Sequence, residues 1–446
     1  MTAVDEARPA TRAGLPERVT VAVVGGGQAG LSISWHLTQR GIEHVVLERG
    51  TIAHEWDNAR WDAFCLVTPN WQCQLPGWPY SGDDPDGFML KDEIVEYVRS
   101  YARSFGPPVH EHVAVTKLAP APDGGYLLTT SAGELAAEQV VLAVGGYHLP
   151  VVPPYASALP EGIAQLHSQQ YRNPGQLPDG EILVVGTGQS GAQIAEDLHL
   201  AGRRVHLAVG SAPRIARRYR GRDVVAWLHD LGHYDMPVEQ HRDGEAARVG
   251  TNHYVTGRDG GRDIDLRAFA REGMRLYGRL TGLAGTMLTF APNLTANLDR
   301  ADRVDNAAKD VIDGHIAAAG IDAPTEPRYT PVWAPEADPT ALELEGSGIT
   351  SVVWCIGFRA DWSWVKVPVF DGVGYPAHSR GVTAAPGLYV LGLPWLHTWG
   401  SGRFSGIARD AEFVADRVTE LVADGSPTGL PRTLAAAAAS SAARMA

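Results

Sequence analysis

Two stretches of this chain, VAVVGGGQAGLSIS at residues 21–34 and LVVGTGQSGAQIAE at residues 183–196, share one form. Each is a β-branched strand, a glycine turn spaced G-x-G-x-x-G, and the opening of a helix. Few patterns restrict a fold as tightly. In such a turn the first glycine takes the bend, the second lets backbone approach a pyrophosphate, and the third lets helix pack close to strand. The unpaired N–H groups and dipole at the helix start then face the phosphate. Gly25, Gly27 and Gly30 fill these positions in the first unit, with Gln28 and Ala29 opening its helix. Gly186, Gly188 and Gly191 fill them in the second, with Gln189 and Ser190 opening the helix. Far more chain separates the units than one βαβ unit needs. The pattern predicts an α/β protein with two Rossmann-like, three-layer dinucleotide-binding domains, the second inserted in the first.

The units differ where the second strand ends. In the first, HVVLE closes on Glu48, followed by Arg49. A carboxylate there accepts hydrogen bonds from a ribose 2′-OH, which suits FAD or NAD. In the second unit the equivalent position is Val209, followed by Gly210 and Ser211, then Arg214, Arg217 and Arg218. A carboxylate would repel a 2′-phosphate, whereas a hydroxyl and guanidinium groups hold one by charge-assisted hydrogen bonds. Ser211, Arg214 and Arg217 are thus expected to select NADP(H). Two sites with opposite ribose preferences imply a held FAD and an NADPH that reduces it.

The remaining composition excludes other classes. A net charge of -13 offers no broad basic face to nucleic acid. No apolar run reaches the roughly 20 residues of a membrane helix, and the polar N-terminus lacks a secretory core, so a cytoplasmic location is expected. Cys65, Cys73 and Cys355 form no C-x-x-C pair, and the histidines match no metal-helix spacing, so no metal site is expected. The expected organisation is an N-terminal tail (1–17), a first FAD-domain part (18–155), an inserted NADPH domain with helical pocket region (156–345), a second FAD-domain part (346–425) and a low-complexity tail (426–446). Within the insert, DLRAFAREGMRLYGRL reads as one amphipathic helix and RVDNAAKDVIDGHIAAAG as another, walls of a pocket or a homodimer contact.

Three further stretches complete a family pattern: VVLAVGGYHLPVVPP (140–154), SVVWCIGFRADWSW (351–364) and GLYVLGLPWLHTWGSGRFSGIARDAEFVADRV (387–418). With the paired fingerprints, the chain resembles the class B flavin-containing monooxygenases. The family's F-x-G-x-x-x-H-x-x-x-[FYW] motif is matched at Gly162, His167 and Tyr171, without the Phe and with one extra residue before the histidine. Tyr171 stands where Baeyer–Villiger members carry Trp. The resemblance implies FAD and NADP(H) as cofactors, with O2 and a small organic molecule as the other reactants. It further implies a C4a-(hydro)peroxyflavin that oxygenates nitrogen or sulfur. The alternatives are oxygenation of a ketone and a reductase serving a protein partner. The resemblance places Asn70 against the flavin as the catalytic candidate. It adds Trp56, Trp61, Thr68, Val113, Gly145, Gly392 and Ser401 as cofactor contacts, with a C-terminal helix starting near Gly402.

Overall fold

The computed structural model describes residues 14–425 and residue 428, so the expected tails lie largely outside the described residues. The strand Arg18–Val24 is the centre of a nine-stranded sheet. It pairs in parallel with His44–Glu48 on one side and with Gly133–Leu142 on the other. Val109–Glu111 and Leu388–Val390 extend this parallel core in the two directions. Helices cover one face, among them Gln28–Gln39, Lys91–Phe105 and Ile407–Asp424. The antiparallel hairpin Val115–Pro120 and Tyr126–Thr130, with residues 362–370, packs on the other. Burial on both faces is why these strands read as continuous β-branched runs rather than alternating ones.

A second sheet of five strands is parallel throughout, in the order Ala164–His167, Ile349–Trp354, Glu181–Val185, Val205–Ala208 and Arg275–Tyr277. Helix Gln189–Leu200 and its neighbours cover one face; the other carries a small antiparallel sheet built from 280–284, 287–290 and 341–343. Two chain crossings join the layers of the molecule, and they run side by side: Leu149–Pro150 pairs antiparallel with Phe358–Arg359.

Four expectations change. The second sheet takes Ile349–Trp354 as an inner strand, so chain assigned to the returning first domain belongs with the second up to about Trp354. A buried β-branched run fits either sheet equally, and only pairing decides. The stretch read as one helix from Asp265 to Leu280 is a short helix, Leu266–Arg271, followed by a sheet strand, Arg275–Tyr277. Gly273 breaks it with a left-handed φ of 110°. The second amphipathic segment is part of a longer helix, Leu294–Ala319. The C-terminal helix begins at Ile407, leaving Ser401 and Gly402 in the loop before it. Among the described residues, no helix is long and apolar enough to cross a membrane.

Candidate active site

Both glycine turns have the geometry their spacing demands. Gly25 sits at φ 109° and Gly186 at φ 102°, where L side chains strain. A Cβ on Gly25 would stand 2.5 Å from the Ala143 carbonyl oxygen, and one on Gly186 2.6 Å from that of Cys355. A Cβ on Gly30 would strike the Gly25 carbonyl, and one on Gly191 the Gly186 carbonyl, because helix and turn touch there. Gly27 and Gly188 are the opposite case. No atom lies within 4 Å of a Cβ built on Gly27, and only Thr251 Cγ2, at 3.8 Å, approaches one on Gly188. Neither helix has a side-chain cap at its start or an acid in its first turn. Each therefore presents open N–H groups beside open space, the cradle a pyrophosphate requires.

Glu48 closes the first cradle. One carboxylate oxygen accepts from Gly26 N and the other from Gly50 N, both at 2.7 Å. Each oxygen retains a lone pair for a ribose hydroxyl. Arg49 turns outward to an ion pair with Glu55. Val113 N bonds the Glu48 carbonyl, fixing the strand end beneath. Gln28 joins three elements: its Nε2 donates to the Gly402 carbonyl, and its Oε1 accepts from Trp56 Nε1 at 3.1 Å. Trp56 stacks on Phe404 with centroids 5.6 Å apart. A Cβ on Gly392 would stand 2.6 Å from Ala29 Cβ, so the C-terminal loop packs against the first helix start. Gly145 is open, with φ 68°. Ser401 is buried and accepts from His397 N and Thr398 N, which shapes that loop.

Other expected contacts are engaged elsewhere. Arg214 is buried among Asp302 (3.1 Å), Asp305 (3.5 Å) and Asp265 (3.9 Å), with its guanidinium 3.9 Å from the Tyr329 ring centroid. Arg217, 1% exposed, pairs with Asp223 and donates to the Val67 carbonyl. Both are corrected from phosphate ligands to internal braces, because a buried guanidinium needs a carboxylate and these have theirs. Ser211, just past the end of strand Val205–Ala208, is exposed, as is Arg218, which donates to the Gly260 carbonyl. Asn70 is likewise corrected. Its Oδ1 accepts from Met89 N and its Nδ2 donates to the Asp84 carbonyl, so both ends of the amide hold the 84–89 loop. Trp61 is buried in the second domain's core, edge-on to Phe64. Thr68 is half-buried beside Val67.

His167 and Tyr171 are held within the unit of the second sheet. His167 Nε2 contacts the Gly357 carbonyl, and Tyr171 donates to Asp197, which also pairs with Arg258. The three cysteines are free and buried, and burial pushes the thiols of Cys65 and Cys73 up to about 11 and about 12. Thiolate chemistry needs the reverse. Among the described residues, no group of three metal-ligating side chains converges.

Sequence reading passed over Arg403, in the loop between the last strand and helix. Its guanidinium stacks 3.5 Å from the centroid of Trp399, donates to the Trp399 carbonyl, and reaches Asn252 Oδ1 at 3.2 Å. Asn252 follows Thr251, the residue facing Gly188. Arg403 follows Gly402, the residue bonded to Gln28. These four residues span the space between the two cradles. The quoted loop contained the arginine, but nothing in its spacing marks it.

A family model described as pyridine nucleotide-disulphide oxidoreductase matches residues 22–231. A CzcO-like oxidoreductase of Geobacillus kaustophilus is 30% identical over 404 residues, covering 90% of this chain and 98% of that protein. A probable indole-3-pyruvate monooxygenase, YUCCA3 of Arabidopsis thaliana, is 30% identical over 207 residues, 44% of this chain and 47% of that one. Among solved structures, a flavin-containing monooxygenase from Stenotrophomonas maltophilia matches with TM-score 0.62 and 19% identity over 91% of this chain and all of its own. A bacillithiol disulfide reductase from Staphylococcus aureus matches with TM-score 0.59 and 12% identity over 91% of this chain and 99% of its own.

Proposed function

We propose that this chain, which belongs with the CzcO-like oxidoreductases to the class B flavin-containing monooxygenase family, uses NADPH and FAD to insert one atom of O2 into a small organic substrate at nitrogen or sulfur. The observation that carries the reading is the pair of cradles joined by Thr251, Asn252, Arg403 and Gly402. A nucleotide lying from each cradle toward that bridge would bring its reactive ring to the other's.

Gly27 and the N–H groups opening helix Gln28–Gln39 would receive the FAD pyrophosphate, with Glu48 on the ribose. Gly188 and the N–H groups opening Gln189–Leu200 would receive that of NADPH. Ser211, exposed after strand Val205–Ala208, would receive the 2′-phosphate. When bound, FAD would supply the redox chemistry: two electrons drawn from NADPH and activation of O2, with one oxygen atom going to the substrate's lone pair and the other to water. The chain's own task is placement and dryness. Gln28 fixes Trp56 and the 400–406 loop against the first cradle, and the stacked rings of Trp56 and Phe404 would give the reacting end an apolar floor. The absence of a thiolate pair opposes the disulfide-reductase chemistry in the family model's description, since all three thiols are buried and held protonated.

The test is isotopic. With NADPH, the flavin-loaded protein and ¹⁸O-labelled dioxygen, thioanisole should emerge as a sulfoxide carrying one labelled oxygen. NADPH consumption that yields only hydrogen peroxide, across thioether and amine probes alike, would contradict the proposal.

A further inference from the structure

Most buried arginines in this protein face carboxylates. Arg214 has Asp302 and Asp305, Arg217 has Asp223, and Arg267 has Asp299 and Asp302. Arg403 does not. Among the described residues, no carboxylate comes within ion-pair distance of it; its partners are Trp399, the Trp399 carbonyl and the neutral amide of Asn252. The wider surroundings are also without negative charge. Tyr234 and Tyr147 are its nearest ionisable oxygens, and His233, with His253 and His241 beyond, lies on the same side. Burial, with the Arg403 charge nearby, holds His233 down to about 4, so it stays neutral, and burial lowers Arg403 itself to about 10. Arg403 is half-buried, and a guanidinium partly withdrawn from water with no counter-ion is a place where a ligand can supply the charge.

Arg60 is also half-buried and, among the described residues, has no carboxylate within ion-pair distance, Glu55 acting on it only from farther off. Its guanidinium lies 5.2 Å from the ring centroid of Trp56 and 5.5 Å from that of Phe64, and it donates only to the Ala59 carbonyl. Its position is tied to that of Arg403, because Trp56 stacks on Phe404, the residue after Arg403, and Tyr147 is a neighbour of both guanidinium groups. The two cations therefore sit on an aromatic floor between the cradles, where substrate must lie if the cradles hold FAD and NADPH.

We propose that Arg403, seconded by Arg60, binds the carboxylate of the substrate, so that the enzyme acts on an organic acid with an apolar or aromatic body. The inference rests on the monooxygenase reading for its location. The guanidinium fork fits a carboxylate bidentately, and Trp56, Phe404 and Trp399 offer faces for the substrate's body. Asn252 holds the fork from the side of the second cradle. The nitrogen or sulfur to be oxygenated would then be set at a fixed distance from the acid group, which selects the position attacked.

Two matched probes test this on the flavin-loaded enzyme: (phenylthio)acetate and thioanisole, alike except for the carboxylate. Wild type should favour the acid. Arg403→Gln should cut the ratio of kcat/KM for (phenylthio)acetate over thioanisole by roughly 10- to 100-fold, the value of a charged hydrogen-bonded pair. Arg403→Lys, which keeps the charge but not the fork, should fall between. Arg60→Gln should lower the same ratio by a smaller factor. Phenylacetate binding measured by calorimetry gives a readout without turnover, saturable in wild type and weakened in Arg403→Gln. An unchanged ratio, an equal loss with both probes, or a raised KM for NADPH with the ratio kept would overturn the proposal; the last would assign Arg403 to the nicotinamide nucleotide's phosphates. If neither thioether takes up oxygen, the monooxygenase reading fails. Phenylacetate binding lost in Arg403→Gln would still support the anion site.

Discussion

The two glycine turns are nearly the same piece of backbone, yet the strand ends beside them differ, and on the proposed reading that difference separates their ligands. Each has a first glycine at φ near 100°, a second opening on empty space and a third pressed against the first's carbonyl. Each is followed by an uncapped helix start. The difference lies at the end of the neighbouring strand. Beside the first turn, Glu48 bonds Gly26 and Gly50 and leaves lone pairs for a ribose. Beside the second, Gly210 N donates to Thr187 Oγ1, and Ser211 is exposed. The backbone shape suits a phosphate at both turns; the proposed reading gives the choice of ribose to the strand-end residue. Arginines near such a site prove nothing alone, as the internal pairing of Arg214 and Arg217 shows.

The largest expected effect separates the braces from the ligands. Arg214→Met removes one cation from buried Asp302 and Asp305, which keep Arg267 and Lys309 as partners, and should cost about 1–3 kcal/mol of stability. Thermal unfolding should show it, and the surviving folded fraction should keep the wild-type KM for NADPH within about twofold. A KM rise comparable to the loss of a phosphate contact would return Arg214 to the cofactor site.

Next, the turns should be separable. Gly191→Ala forces a methyl against the Gly186 carbonyl and should weaken NADPH by roughly 10- to 100-fold while FAD content remains. Gly30→Ala should do the reverse, yielding protein depleted of flavin. Loss of both cofactors in either variant would mean the turns do not act as separate sites. A smaller change sharpens the ribose argument. Ser211→Glu puts a carboxylate at the exposed strand end and should lower the preference for NADPH over NADH by about tenfold, as measured by kcat/KM. An unchanged preference would place the 2′-phosphate elsewhere.

The smallest effect is one of pH. Glu196, on helix Gln189–Leu200 and 1% exposed, is raised to about 7 by burial, though Arg262 and Arg258 pull it down. A carboxyl group whose folded pKa lies above its unfolded value of 4.5 binds more protons when folded between those values. Its contribution to stability is then present at low pH and declines as pH rises from 4.5 to about 7. Glu196→Gln stays neutral throughout. Relative to wild type, its melting temperature should be higher at pH 8 than at pH 5, with the difference between the two proteins cancelling the other titrating groups. A pH-independent difference would show that Glu196 is held ionised by its arginines.

Much of this was legible in the sequence because local rules govern it. The glycine turns, the strand ending in Glu48 and the buried parallel runs are fixed by residues within one βαβ unit. What failed depended on partners distant in the chain. Ile349–Trp354 looks like any buried strand, and only its pairing with 164–167 and 181–185 assigns it to the second sheet. Arg214 reads as a phosphate ligand until helix Leu294–Ala319 brings Asp302 and Asp305 to it. Asn70 reads as a flavin contact until Asp84 and Met89 close on its amide. Arg403 gave no signal, since an unpaired cation is recognised only when every neighbour is known.

The most direct measurement is anaerobic mixing of the flavin-loaded protein with NADPH while the flavin's visible absorption is followed. The account predicts bleaching that saturates with NADPH in wild type and becomes far slower at the same NADPH concentration in Gly191→Ala. Bleaching that does not occur, or that proceeds equally in both proteins, would contradict the assignment of NADPH to the second cradle and of hydride transfer between the two.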